Sequence, residues 1–480
     1  MGELTEVEIR PVSPERFQEV LAPEQFSGFM EQVDRARHLL DGRTIWNVNS
    51  TATGGGVAEM LRSLVAYVKG AGLDARWLVI PGNPEFFRLT KRIHNHLHSA
   101  RGDGGQLDEQ ARLTYESALA VTAKQLVARV RTGDIVIVHD PQPAGLVPVL
   151  REHGAHVVWR CHVGLDEPDE LARNAWRFLL PYVLPAEAYV FSRATFAWDG
   201  LDRDRIWVIP PSIDAFSTKN RPMPEDQVRA LLQAAGVLAG EPSAGARFTR
   251  LDGTDALLVH RAHIFQTAAV GPDVRLVVQV SRWDGLKDPL GVIRGFAEHV
   301  ASDLDAHLML AGPEVEGVAD DPEGGQVLMD CLAAWSDLPG EIMSRIHLAV
   351  LPMVDGDENA ALVNAIQHHA SIVVQKSLAE GFGLTVSEAM WKGRPVVASA
   401  IGGIQDQIED RGTGLLVHDP RDLAEYGGAL RDLLDDTDEA ARIGNAARER
   451  VRARFLGPRH LLQYADLTRR LVESERAAVT

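Results

Sequence analysis

The sequence predicts an α/β protein made of two doubly wound domains, and three observations carry that reading. Short β-like apolar runs alternate with amphipathic helical patterns over most of the 480 residues, as parallel layers require. Several runs are apolar without alternation, which fits strands covered by helices on both faces. The runs form two sets separated by a proline-rich polar stretch, and a chain this long exceeds one ordinary core.

In the first half the strand candidates are TIWNVNS, ARWLVIPG, DIVIVHD, HVVWRCHVG, AYVFS and IWVIPPS. The first leads into three glycines and then VAEMLRSLVAYVKG. There Val57, Met60, Leu61, Leu64, Val65 and Val68 share one helical face. Gly54, Gly55 and Gly56 therefore form the turn from first strand to first helix, where free backbone N–H groups suit an anion. A tight turn without a ligand gives the same pattern. The dinucleotide pattern GxGxxG is not met, because Glu59 stands where its third glycine belongs, and Asp74 alone is a weak ribose candidate.

The boundary falls in IPPSIDAFSTKNRPMPEDQ. It divides an N-terminal Rossmann-like domain, 1–215, from a C-terminal one, 216–455, with an insertion near 216–270. The second set of strands is RLVVQVSRWD, HLMLAGP, IHLAVLP, SIVVQ, PVVASA and GLLVH. A charged helical pattern from Asp436 breaks at FLGPRH and leaves 456–480 as a terminal helix.

Composition narrows the partners. The formal charge is −18, from 67 acidic and 49 basic residues. That argues against nucleic acid and anionic membranes, though not against a local basic pocket for a phosphorylated small molecule. Cys161 and Cys331 are far apart and read as reduced, buried thiols. The segment MGELTEVEIRPVSPERF lacks the charged and apolar regions of a signal peptide, and Glu6 breaks a myristoylation pattern. No apolar run reaches the ~20 residues of a membrane span. A cytoplasmic location is expected.

The chemistry concentrates in the second half. In QVSRWDGLKDPLGVI, Arg282 and Lys287 flank a strand-to-helix turn at the edge where open α/β sheets bind ligands. A guanidinium and an ammonium together suit a diphosphate, although either alone is ordinarily a solvated surface charge. In SLAEGFGLTVSEAMWKGRPVVAS, Glu380 lies in a loop and Glu388 eight residues on, inside the next helix. Gly381 and Gly383 free the backbone between them. Two carboxylates bracketing an anion site suit a nucleotide sugar; a cap plus a solvated helix glutamate is the plainer alternative.

Taken together, these stretches resemble the retaining GT-B glycosyltransferases of family four, whose two Rossmann-like domains face each other across a cleft. Four segments look closer to the trehalose glycosyltransferring synthases and the related retaining trehalose phosphorylases: VNSTATGGGVAEML, FFRLTKRIHNHLH, ENAALVNAIQ and QKSLAEGFGLTVSEAMWKGRPVVAS. The resemblance implies a catalytic set of Arg282, Lys287, Glu380 and His162. Glu380 would contact the transferred glucose, Glu388 the ribose, and Arg282 and Lys287 the leaving diphosphate. Gly381 and Phe382 would wrap the donor, with Gly383, Leu384 and Thr385 donating backbone N–H groups. Gly55 and Gly56 would approach the donor phosphate. Strand ends of the first domain offer Asn49, Asp140, Arg160 and His162 to the acceptor, with weaker support for His139 and Asp140 than for His162; a lone strand-end histidine is ordinarily structural.

The expected reaction moves glucose from UDP-, ADP- or GDP-glucose to C1 of glucose with retention, giving α,α-trehalose. No permanent cofactor is expected. A metal is unnecessary if the two cations serve the diphosphate. In HNHLH the spacing of His94, His96 and His98 does not put all three on one helix face, and Asp355 and Asp357 look like the metal pair of a different glycosyltransferase fold. Partners are a nucleotide sugar and glucose or trehalose, and a homodimer is one expected assembly. The terminal helix is expected to return to the first domain, and the domains to close on the donor.

Four rivals stay open. A trehalose phosphorylase would leave the ribose role of Glu388 idle. A synthase with another acceptor, as in sucrose synthesis, shares the donor residues. A nicotinamide oxidoreductase is opposed by Glu59, and a non-catalytic sugar sensor by the joint presence of both glutamates and both cations.

Overall fold

The computed structural model describes residues 2–52, 55–241, 245–315 and 323–479. The chain divides into two compact units, Met1–Ser212 with Leu456–Thr480, and Ile213–Phe455. Both are α/β units built on a seven-stranded, largely parallel sheet, as the sequence predicts.

Unit 1 contains β1 (Thr5–Glu6), β2 (Thr44–Asn49), β3 (Asp74–Val79), β4 (Ile135–His139), β5 (His156–Cys161), β6 (Ala188–Phe191) and β7 (Ile206–Val208). Their order is β1-β3-β2-β4-β5-β6-β7. Burial on both faces explains the continuous apolar runs. Val136 and Val138 of β4 join one core cluster, while Ile135 and Ile137 join the other. Successive side chains of a strand point to opposite faces, so each run feeds two cores. The last helix, Gly457–Val479, contributes Leu467, Leu471 and Val472 to the second cluster.

Unit 2 begins with a small hairpin, β8 (Arg247–Thr249) and β9 (Asp255–Leu257). Its sheet comprises β10 (His263–Phe265), β11 (Arg275–Val280), β12 (Ala306–Pro313), β13 (Ile346–Leu351), β14 (Ile372–Gln375), β15 (Val396–Ser399) and β16 (Leu415–Val417). The order is β10-β13-β12-β11-β14-β15-β16. It reverses direction between β11 and β14, so the crevice at their carboxyl ends is the topological switch point where such sheets bind ligands. In unit 1 the same point lies between β2 and β4.

Two edge strands depart from the all-parallel reading. β1 pairs antiparallel with β3, and β10 pairs antiparallel with β13. Each is only two or three residues long, too short to show a pattern in sequence. The segment before β11 is tied into unit 2. Asn364 donates to the carbonyls of Thr218 and Arg221 at 3.0 Å each, and Arg250 pairs bidentately with Asp355 at 3.0 and 2.6 Å.

Candidate active site

Unit 2 gathers most of the predicted donor residues at its switch point. The turn after β11 is fixed by Asp284, whose carboxylate accepts from the Leu286 N–H at 2.8 Å. Arg282 reaches back to Asp284 at 3.1 Å and keeps 43% of its side chain exposed. This turn is sewn to the loop after β14. Leu378 N–H donates to the Leu286 carbonyl at 2.8 Å, Gln279 donates to the Lys287 carbonyl at 3.0 Å, and Lys376 pairs with Asp288. Asp288 is a non-glycine residue with φ +48°. It affords that left-handed backbone because its side chain caps the following helix at Gly291 and holds Lys376.

The consequence is a direct ion pair. Lys287 Nζ lies 2.5 Å from Glu380 Oε2, with Ser377 Oγ at 3.4 Å from the same oxygen. The two residues are predicted on different segments, and the fold joins them. Gly383, at φ +82°, caps the helix Leu384–Trp391. The first turn of that helix has N–H groups with no intrahelical acceptor, so Leu384 and Thr385 stand at an anion-favouring end. Glu388 lies one turn further along and is 3% exposed.

Supporting residues here escape sequence reading. Gln407 donates to the Phe382 carbonyl at 2.5 Å and accepts from Ser387 at 2.5 Å, so it holds the loop against its helix. Gly402, with φ +47°, lies so close that a Cβ would come within 1.8 Å of the Glu380 carbonyl oxygen. The glycines of IGGIQDQ were the available signal. Close backbone approach was the reason to read them.

Unit 1 brings its predicted acceptor residues to the ends of β2, β4 and β5. His162 Nε2 lies 3.1 Å from His139 Nδ1, and His139 Nε2 lies 3.1 Å from Asn47 Oδ1. The tautomers follow. An amide oxygen only accepts, so His139 carries its proton on Nε2. Burial, with Arg160 nearby, pushes the His139 pKa down to about 3, so its Nδ1 accepts from His162 Nε2–H. Burial likewise holds His162 well below the ordinary histidine range. Neutral His162 thus keeps Nδ1 as a hydrogen-bond acceptor.

Asp140 adopts φ +65° and turns its carboxylate onto the His162 N–H at 2.7 Å. Burial raises its pKa to about 7, against the opposing pull of that N–H and of Arg160. Arg160 itself is 0% exposed and donates to Ser192 at 3.4 Å; among the described residues its Nε and Nη1 have no hydrogen-bond partner. Asn49 is committed at both ends of its amide, accepting from Trp77 at 2.8 Å and donating to the Thr51 carbonyl at 2.7 Å. Gly55, at φ +80°, is the cap of the helix that Gly56 begins; Gly54 lies outside the described residues.

Other candidates have structural duties. Asp355 caps the helix Gly356–His369 and pairs with Arg250, while Asp357 accepts from Thr218 at 3.1 Å. His96 is buried, which lowers its pKa, and the rings of His94 and His98 lie 5.0 Å apart. Among the described residues, no group of three or more His, Cys, Asp or Glu could hold one metal ion. Cys161 and Cys331 are free and buried. No described helix is long and apolar enough to cross a membrane.

Comparison with known proteins decides the family. Residues 47–198 match the family model "Trehalose synthase, N-terminal domain", and 261–450 match "Glycosyl transferases group 1". A trehalose synthase of Pyrococcus horikoshii is 33% identical over 456 residues, 94% of this chain and 95% of that one. The chain belongs to the trehalose synthase family. It is a trehalose-related glycosyltransferase. A trehalose phosphorylase of Pleurotus pulmonarius is 24% identical over 83% of this chain but only 55% of its own length. The solved α,α-trehalose 6-phosphate synthase of Burkholderia multivorans superposes with TM-score 0.62 at 16% identity, covering 91% of this chain and all of that one. That likeness establishes the GT-B fold shared by this trehalose synthase family member.

Proposed function

We propose that the enzyme transfers glucose from a nucleoside diphosphate glucose to C1 of free glucose, with retention, forming α,α-trehalose. The observation that carries this reading is the constellation at the unit 2 switch point. Lys287 is paired with Glu380, a helix N-terminus follows, and a buried carboxylate, Glu388, lies one turn beyond. Each part has a use on such a donor.

Negative charge grows on the departing diphosphate as the glycosidic bond breaks. Arg282, Lys287 and the N–H groups of Leu384 and Thr385 stabilise that charge more in the transition state than in the ground state. On this reading Arg282 and Lys287 supply the positive charge, and the reaction calls for no catalytic metal. Glu380 orients the transferred glucose and Glu388 the ribose. On unit 1, the Nδ1 lone pair of neutral His162 accepts a hydroxyl of glucose. No carboxylate is assigned as a nucleophile, so the retaining route is a same-face one, in which a donor phosphate oxygen takes the acceptor proton.

A second reading, phosphorolysis of trehalose, is favoured by the likeness to the Pleurotus phosphorylase. Glu388→Ala separates the two. The proposal expects the variant to lose turnover with nucleoside diphosphate glucose through a raised KM for the donor. Unchanged donor kinetics would remove the ribose role and turn the case towards phosphate.

A further inference from the structure

Glu388 is a carboxylate buried on the first turn-and-a-half of its helix, and burying a carboxylate without a partner is strongly unfavourable. Its partner comes from far away in sequence. Lys219 Nζ lies 3.4 Å from Glu388 Oε1, and Lys219 keeps only 22% of its side chain exposed. The lysine belongs to STKN, in the segment that follows the last strand of unit 1, which sequence reading treats as linker.

The surrounding backbone is held from several sides. Trp391 donates to the Asn220 carbonyl at 3.1 Å, and Lys392 Nζ reaches Asn220 Oδ1 at 3.2 Å. Asn364 holds the carbonyls of Thr218 and Arg221, and Asn220 donates to the Asp214 carbonyl at 3.1 Å. The helices that precede and follow β14, Gly356–His369 and Leu384–Trp391, therefore fix the residues on either side of Lys219. The ammonium is delivered to one carboxylate oxygen from a rigid base.

We propose that Lys219 is a positioning residue for nucleotide recognition: by holding one oxygen of Glu388, it fixes the carboxylate for the donor ribose and so sets discrimination at the ribose hydroxyls. This rests on the nucleotide-donor reading. A compact ammonium suits the task, since three donors on a flexible stem can hold a carboxylate oxygen and still reach a neighbouring hydroxyl.

The test compares wild type, Lys219→Met and Lys219→Arg. Each is assayed for glucosyl transfer to glucose with UDP-, ADP- and GDP-glucose, and then with the 2′-deoxyribose counterpart of the donor that wild type prefers. Lys219→Met is expected to raise the donor KM by about ten- to a hundredfold, as weakening a charge-assisted hydrogen bond does, with kcat changed far less. Its preference for ribose over deoxyribose should collapse, while Lys219→Arg keeps most of it. A lysine that only stabilises the fold would lower Tm in Lys219→Met but leave the ribose preference intact, and that result overturns the proposal. If Lys219→Met does not fold, Lys219→Gln carries the same expectation. Absence of turnover by wild type with all three nucleotide sugars would instead defeat the donor reading, and this inference with it.

Discussion

At the scale of single residues, charge placement dominates. Arg282 is half in water beside Asp284, and its worth as a surface group in the resting enzyme is small. On the proposed reaction its worth lies in the transition state. Arg282→Ala should lower kcat by about 10²–10³-fold with the circular dichroism spectrum unchanged, the loss typical of one electrostatic contact to a developing anion. Near-normal turnover would remove it from the mechanism. In unit 1, Asp140 has its pKa raised to about 7, whereas His139 and His162 are held far below the histidine range. A raised carboxyl pKa means protonation persists to neutrality, so an ionisation near pH 7 in the rate profile should belong to Asp140. Asp140→Asn should abolish that inflection; its persistence would assign it elsewhere. Asp140 and His162 were legible from the ends of apolar runs. Lys219 and Gln407 were not, because their partners are distant in sequence and nothing local marks a lysine or glutamine as reaching a buried carboxylate or a loop carbonyl.

At the scale of elements, two local arrangements make predictions. Gly402 sits against the loop of Glu380, and the Cβ added in Gly402→Ala would strike a backbone carbonyl. That substitution should cost about 1–3 kcal/mol as an overpacked contact. It should also raise the donor KM by displacing Glu380, which steady-state kinetics and thermal unfolding can read together. The second arrangement anchors the terminal helix of unit 1. Glu475 lies 2.7 Å from Arg43 and 3.2 Å from His156, and His156 also meets Glu187 at 3.0 Å. The bond to Glu187, with Glu475 behind it, raises the His156 pKa. For Glu475, burial acts upward but Arg43 and His156 prevail and lower it. A raised histidine pKa contributes stability below its ordinary value of 6.5, lost as pH rises through the folded value. A lowered glutamate contributes above 4.5, lost as pH falls through its folded value. The Tm difference between wild type and His156→Gln should therefore be largest at roughly pH 5–6 and shrink in alkali. A difference independent of pH would show that packing, not charge, anchors the helix. The other twelve strands of the two sheets were legible as apolar runs, most of them buried on both faces; β1 and β10 were hidden by their length of two and three residues.

At the scale of the whole molecule, the path of the chain matters. Unit 2 is continuous, Ile213–Phe455, with a core cluster drawn wholly from its own residues. Unit 1 is not: its sheet needs Leu467, Leu471 and Val472 from the end of the chain. The fragment 213–455 should fold alone, with a cooperative melt, whereas 1–212 without 456–480 should not; a cooperative melt for the latter would contradict this. The doubly wound class could be read from sequence because alternation of strand and helix is a property of the whole chain. The junction of Lys287 with Glu380 could not, since it depends on which strands the topology makes neighbours.

The central claim is that a nucleotide sugar, not phosphate, serves the reaction. The most direct measurement mixes purified enzyme with glucose and UDP-, ADP- or GDP-glucose in phosphate-free buffer and looks for trehalose by chromatography. A parallel sample holds trehalose and inorganic phosphate. The account predicts α,α-trehalose and nucleoside diphosphate in the first and no glucose 1-phosphate in the second. Glucose 1-phosphate in the second, with no trehalose in the first, would contradict it.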